Sequence, residues 1–330
     1  MAEKTTLHTN SLSGLKILVT GGAGFIGSHL ATYFTLNAAQ KVVVLDDLST
    51  GFEKNIEPLK SHPNFTFIKG SITDEATCIK ACKDIDVVLH HAALGSVPRS
   101  VETPIKTNEV NVSGFVNMLF AAKECGVKKF IYASSSSVYG DDATTPKEEN
   151  KTGNLLSPYA VSKHTNEKYA AVFSNLYGIT TIGLRYFNVF GERQNPDGPY
   201  AAVIPKFIAS LMAGRAPSIY GTGNNTRDFT YVQNVVRANI LCIENTQLPK
   251  HTVMNIALGG TISVNEIFNH ISKLLNSDIK PQYLSERPGE IKNSFANINL
   301  AKQTIGFAPV TTLQQGLEKT VNWFKNKKLN

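Results

Sequence analysis

Cysteine is scarce: Cys78, Cys82, Cys125 and Cys242 are the only four in 330 residues. That is too few, too unevenly spaced, for a disulfide framework. Cys78 and Cys82 have helical i, i+4 spacing, but no second Cys or His pair lies near them in the sequence. Buried thiols are therefore expected, and neither a zinc site nor a disulfide. No apolar run approaches the roughly 18 residues that a membrane-crossing helix needs, and the polar residues 1–14 lack the apolar segment of a secretory signal. A large excess of one charge is also missing. The net charge is +7, and its densest run is Lys325, Lys327 and Lys328, which reads as a solvated helix end. The other basic residues are scattered, which argues against nucleic acid and is compatible with anionic small molecules. A reducing cytoplasm, with no membrane or nucleic-acid partner, is the expected setting.

What is present is an ordinary globular balance, 42% hydrophobic against 18% charged residues, in a chain long enough for one large domain or two that share elements. Short apolar runs recur at Lys16-Ile-Leu-Val-Thr20, Lys41-Val-Val-Val-Leu45, Phe65-Thr-Phe-Ile68, Val87-Val-Leu-His-His-Ala-Ala93 and Lys129-Phe-Ile-Tyr-Ala133. Helical patterns separate them, with helical segments expected over roughly 104–125. Strands alternating with helices at this rhythm predict an α/β fold with a Rossmann-type, doubly wound parallel sheet. In such sheets ligands bind beyond the carboxyl ends of the strands.

The first strand runs into Gly21-Gly-Ala-Gly-Phe-Ile-Gly27 and then a helical stretch, the context of a phosphate-binding glycine turn. Glycines let the backbone approach a pyrophosphate, and the helix N-terminus offers N–H groups and partial positive charge. The spacing parses as Gly22-x-Gly24-x-x-Gly27 or as Gly21-x-x-Gly24-x-x-Gly27. Asp46 ends the second strand, nineteen residues past Gly27, where an acid accepts from a ribose 2′-OH. A carboxylate there repels a 2′-phosphate, so NAD is expected over NADP. Ala92 and Ala93 end the fourth strand with little bulk, and Ser134–Ser137 carry hydroxyls out of the fifth. All of these fall at one edge of the sheet.

Ser157-Pro158 reads as a helix cap and first position. It places Tyr159 and Lys163 one turn apart on one face. An ammonium beside a phenol favours the phenolate, so a Tyr159 pKa drawn down from about 10 toward neutrality is expected, with help from a positively charged cofactor ring.

The set of glycine turn, Ser135 and Tyr159-x-x-x-Lys163 resembles the extended short-chain dehydrogenase/reductase superfamily. Within it the chain is similar to nucleotide-sugar 4-epimerases, most closely the bacterial UDP-N-acetylglucosamine 4-epimerases. The likeness runs from Lys16 to about Phe324, through Leu184-Arg-Tyr-Phe-Asn-Val-Phe-Gly191, Tyr200-Ala-Ala-Val-Ile-Pro-Lys206, Arg227-Asp-Phe-Thr-Tyr231 and Arg287-Pro-Gly-Glu290. The resemblance implies NAD held by Gly21, Gly24, Phe25, Ile26, Asp46, Ser71, Ile72, Ala92, Ala93, Leu94, Asn111, Tyr159, Lys163 and Val189. It implies catalysis by Ser135, Tyr159 and Lys163. A UDP-sugar would meet Gly95, Ser96, Ser135, Ser136, Asn188, Ala202, Val203, Phe207, Arg227, Arg287 and Ser294, with no metal. Arg227 and Arg287 match two arginines that clamp a diphosphate, and a small Ser294 leaves room for an acetamido group.

It also implies a division into a dinucleotide-binding part over 15–188, with 230–256 returning to it, and a substrate part over 189–229 and 257–330, behind a polar leader 1–14. A homodimer through the helices near 104–125 and 157–177 is the family habit. The chain departs from the pattern at Ser71 and Asn234, where relatives carry Asp, and at Lys292, Asn293 and Asn297. The activity implied is reversible epimerisation at carbon 4 of a UDP-hexose, UDP-GlcNAc/UDP-GalNAc ahead of UDP-Glc/UDP-Gal. UDP-uronate 4-epimerase and sugar-nucleotide 4,6-dehydratase remain the alternatives.

Overall fold

The computed structural model describes residues 6–37, 39–197, 201–286 and 292–328. Seven strands form one sheet: β1 (Lys16–Thr20), β2 (Lys41–Asp46), β3 (Phe65–Lys69), β4 (Val87–His90), β5 (Lys129–Ser135), β6 (Thr180–Tyr186) and β7 (His251–Ile256). Their order is β7-β6-β5-β4-β1-β2-β3, with every neighbouring pair parallel. The expected doubly wound sheet is therefore the observed one. The chain runs outward from β1 to β3, then crosses back to start β4 on the other side of β1. The reversal opens a crevice past the Thr20–His90 pair.

The strands read as unbroken apolar runs because both faces are covered. Ile17, Val19, Val42 and Val44 point to one side, into a core shared with helices Phe25–Leu36 and Val232–Glu244. Leu18, Val43, Leu45 and Val88 point to the other, against helices Glu75–Cys82, Gly114–Glu124 and Pro158–Tyr177. A third core, around Phe190, Ile204, Phe207, Phe229, Ile267, Phe268, Leu317 and Phe324, lies beyond the sheet. It carries three small sheets, one of them joining Thr226–Arg227 to Ile262–Ser263 and Asn293–Ser294.

Three local details are set by the fold. The helical segments expected over 104–125 are Pro104–Asn108 and Gly114–Glu124, which flank a π-helical turn, Glu109–Ser113, of the kind often found beside sites. Helix Asn299–Ile305 does not join the third core. Its Ala301 and Ile305 are buried, with Phe307, in the core on one face of the main sheet. The described part of the polar leader is docked, because Leu7 and Leu12 are buried and the Thr9 and Asn10 amides donate to Glu244 Oε1.

All four cysteines are free, three of them buried, and burial pushes the Cys78 and Cys242 thiols up to about 12. Among the described residues no helix is long and apolar enough to cross a membrane.

Candidate active site

A cavity of about 1130 Å³ opens at the carboxyl edge of the sheet. At one end stands the glycine turn. Gly21 has φ +66°, and a Cβ there would lie 2.7 Å from the Ala92 nitrogen, so only glycine lets β1 turn this close to β4. A Cβ on Gly27 would meet the Gly21 carbonyl oxygen at 2.2 Å, which fixes how tightly the helix docks on the turn. Gly24 caps that helix and borders the cavity with Phe25 and Ile26. The helix N-terminus therefore faces the space, as anion binding requires.

Asp46 borders the same end. Its Oδ2 accepts from the Ala23 amide at 2.9 Å and its Oδ1 from the Leu48 amide at 2.8 Å. Burial pushes its carboxyl above the usual range while these amides pull it back. With the Gly24 amide a third donor, the carboxylate still has acceptor capacity for a further one. Ile72, Ala92, Ala93 and Leu94 also line the cavity.

Asn111 stands behind the wall. Its Oδ1 accepts from the Leu94 amide at 2.8 Å, and its Nδ2 donates to the Leu94 carbonyl and to Ser162 Oγ. The π turn brings that side chain round to the loop. Ser71 is likewise absent from the lining, its hydroxyl paired with Thr73 Oγ1 at 2.9 Å. Asn111 thus braces the Leu94 loop from the helix behind it, where it was expected, and the Ser71 hydroxyl bonds within its own loop.

In the middle of the cavity β5 and helix Pro158–Tyr177 present Ser135, Tyr159 and Lys163 together. The helix starts as its residues dictate: Ser157 Oγ accepts from the Ala160 amide at 3.1 Å, and Pro158 occupies the first turn. Lys163 Nζ donates to the Ala133 carbonyl at 2.8 Å and stands 5.9 Å from the centre of the Tyr159 ring. Burial is the largest influence on both. It pushes the Tyr159 phenol above its ordinary value, with the Ser135 hydroxyl favouring the phenolate, and lowers Lys163 from 10.5 to about 8. The drop toward neutrality, expected from the ammonium and a positively charged cofactor ring together, is not reached by the protein's own groups, among which burial leads and the ammonium donates to Ala133.

At the far end Gly95, Ser96, Ser136, Asn188, Val189, Arg227 and Ser294 border the cavity. Ser96 caps helix Val97–Glu102, accepting from the Arg99 amide at 3.2 Å. Arg227 Nη1 donates to the Thr226 and Lys292 carbonyls. The neighbouring segment differs from expectation. Ala201 borders the cavity, whereas Ala202 caps helix Val203–Met212 and Val203 packs at the edge of the third core. Phe207 is 1% exposed, its ring edge-on to Phe268, so it is a core residue. Helical periodicity turns it inward. Arg287 lies outside the described residues. Asn234 has a structural task, since its Oδ1 accepts from the Val310 and Thr311 amides.

Sequence reasoning passed over His91, Arg99, Tyr186, Asn195 and Asp197, which also line the cavity. His91 Nε2 pairs with the Tyr186 hydroxyl at 3.0 Å, and burial holds the imidazole neutral, down at about 3. His91 was legible as the neighbour of Ala92 and Tyr186 as part of the Leu184–Gly191 segment, while the other three carry no local signal. Among the described residues no group of three or more His, Cys, Asp or Glu could hold a metal.

The fold and this cavity define a dinucleotide-dependent enzyme of the sugar-nucleotide type, and the sequence matches accordingly. The chain belongs to the NAD dependent epimerase/dehydratase family, whose profile matches residues 17–257. It is 39% identical over 312 residues to a putative UDP-glucose 4-epimerase of Methanocaldococcus jannaschii, covering 94% of this chain and 98% of that protein. Among solved structures it is similar to a UDP-N-acetylglucosamine 4-epimerase from Methanobrevibacter ruminantium in complex with UDP-N-acetylmuramic acid. That likeness has 42% identity and a TM-score of 0.90 over 96% of this chain and 99% of the other. It is also similar to a UDP-glucuronic acid 4-epimerase from Bacillus cereus in complex with UDP-glucuronic acid and NAD, at 32% identity and a TM-score of 0.87, over 95% and 100% of the two chains.

Proposed function

We propose that this chain is a UDP-sugar 4-epimerase that uses NAD and acts on UDP-GlcNAc and UDP-GalNAc ahead of UDP-Glc and UDP-Gal. The observation that carries the reading is that one cavity joins three things: a glycine turn with a strand-end acid, the Ser135–Tyr159–Lys163 group, and a far wall holding Arg227 and Ser294. Residues 15–188 and 230–256 would hold the dinucleotide, and 189–229 with 257–330 the sugar nucleotide, apart from the docked helix Asn299–Ile305.

The residues fit NAD. The helix N-terminus at Gly24, Phe25 and Ile26 suits a pyrophosphate, and Asp46 retains acceptor capacity for ribose hydroxyls while repelling a 2′-phosphate. When bound, NAD supplies a hydride acceptor that returns the hydride, and a positive ring beside the phenol. Tyr159 takes the proton of the carbon-4 hydroxyl and gives it back. Ser135 donates to that oxygen as it becomes a carbonyl, and Lys163 keeps positive charge near the phenolate. The freed keto sugar turns over while Arg227 retains the diphosphate by guanidinium–phosphate pairing. Binding energy therefore sits on the nucleotide, which leaves the hexose free to rotate.

The finer choice of an N-acetylated hexose is supported by Ser294 on the cavity wall, too small to exclude an acetamido group. A UDP-uronate epimerase is the second reading, favoured by a basic residue, Arg99, among those that border the cavity. A 4,6-dehydratase needs an acid just after Ser135, and the chain has Ser136-Ser137. The test is incubation with UDP-GlcNAc, UDP-Glc and UDP-glucuronic acid without added cofactor, following the carbon-4 epimers. Fastest conversion of UDP-GlcNAc is expected. Conversion of the uronate alone would replace the reading by the second one, and stoichiometric accumulation of NADH would end it.

A homodimer in a cytoplasmic setting belongs to the same proposal. Val101, Ile105, Val172 and Leu176 expose apolar side chains on helices Val97–Glu102, Pro104–Asn108 and Pro158–Tyr177, with Ile105 85% exposed.

A further inference from the structure

Asn188, Arg227 and Ser294 reach the cavity from three stretches far apart in sequence, and none of them lies on a strand of the main sheet. One residue that does not itself border the cavity ties them together. Asp228 is 1% exposed. Its Oδ1 accepts from the Leu258 amide at 2.9 Å, and its Oδ2 from the Gly259 amide at 3.0 Å and the Ala296 amide at 3.3 Å. Its own amide donates to the Ser294 carbonyl at 3.0 Å, and its carbonyl accepts from Asn188 Nδ2 at 2.9 Å. Asn188 has φ +36°, a strained backbone for a non-glycine residue, and this side-chain bond helps to hold it there.

We propose that Asp228 is a positioning residue for the sugar-nucleotide side of the cavity. Its carboxylate draws the 258–259 turn and the 294–296 strand end onto the Arg227 strand, and so sets the relative places of Asn188, Arg227 and Ser294. The proposal rests on the UDP-sugar reading above and adds a residue to it. A carboxylate is the group for this task because it accepts only, and here it meets three amides converging from two segments. Burial raises its pKa to about 6, so the charged form is kept at neutral pH against a desolvation cost. A residue serving only to fill the core would not need that charge.

The competing account is that Asp228 merely stabilises the fold. Stabilisation alone would affect both ends of the cavity or neither, whereas positioning touches one. The test uses the full chain, with UDP and NADH as separate binding probes, on wild type, Asp228→Asn and Asp228→Ser. Asn has the right shape but turns an NH2 toward amide donors, and Ser keeps a single acceptor too short to span both segments.

UDP affinity is expected to fall by about tenfold or more, with the KM for the UDP-sugar rising in parallel and kcat within about threefold of wild type. NADH affinity is expected to stay unchanged. Equal losses for UDP and NADH, or no loss for UDP, would overturn the proposal, as would failure of both variants to fold. A wild-type protein that binds NADH and no UDP would overturn the substrate reading itself, and this proposal with it.

Discussion

Arg185 grips Glu167 with two parallel hydrogen bonds, Nε to Oε1 at 2.9 Å and Nη2 to Oε2 at 2.8 Å, with both side chains buried. Glu167 Oε1 also accepts from Ser134 Oγ at 2.6 Å. Glu167 lies one helical turn past Lys163, and Ser134 precedes Ser135. The pair therefore ties the helix carrying Tyr159 to β6, and the Ser134 bond ties it to β5, the strand carrying Ser135. Breaking one half of such a pair strands a buried charge, which costs about 3–5 kcal/mol. Glu167→Gln is expected to lower the unfolding free energy from urea melts by that order, and Glu167→Met combined with Arg185→Leu to cost less than either change alone. Additive losses in urea melts would show that the pairing itself contributes little.

Lys163 is held as a cation in a place that disfavours one. Its pKa falls from 10.5 to about 8 through burial, which at about 1.4 kcal/mol per pH unit makes the charge cost about 3 kcal/mol. The unfolded chain binds the proton more tightly, so this cost is fully present below pH 8 and fades as pH rises from 8 toward 10.5. Lys163→Met loses the bond to Ala133, worth about 1 kcal/mol. It is therefore expected to be more stable than wild type by about 2 kcal/mol at pH 7, with the difference shrinking by pH 10, while epimerisation is lost. A variant less stable than wild type at pH 7 in denaturant titrations would contradict this.

Tyr159→Phe removes the proton-accepting oxygen and little volume. Turnover is expected to drop by about 10²–10⁴ with NADH affinity within about twofold of wild type. Undiminished steady-state turnover would dismiss Tyr159 as the base.

Ser294→Tyr fills the wall where an acetamido group would lie. The ratio of kcat/KM for UDP-GlcNAc to that for UDP-Glc is expected to fall by about tenfold or more. If both substrates suffer alike, Ser294 is not the gatekeeper.

Ile105→Glu combined with Leu176→Glu places charge on the exposed apolar helices. Sedimentation is expected to show a wild-type dimer and a variant monomer. A wild-type monomer would dispose of the dimer proposal.

Local order decided what the sequence alone could reveal. A glycine turn after a strand, an acid at the next strand's end, and Tyr and Lys one helical turn apart all express short-range geometry, so the parallel sheet, the place of Gly21 and Asp46 along it, and the shared face of Tyr159 and Lys163 were readable from residue spacing, while the resemblance alone implied that this face meets the cofactor. Glu167 obeys the same spacing and was within reach. Tertiary structure decided the rest, because it depends on contacts between distant segments. Helical phase sent Phe207 into the core, a π turn swung Asn111 behind Leu94, and burial raised the Tyr159 phenol. Asp228 shows the reason most clearly: its partners at 188, 258–259 and 294–296 meet where Phe187, Ala257 and Ala296 pack together with Val138 and Tyr139, and no spacing along the chain encodes their meeting.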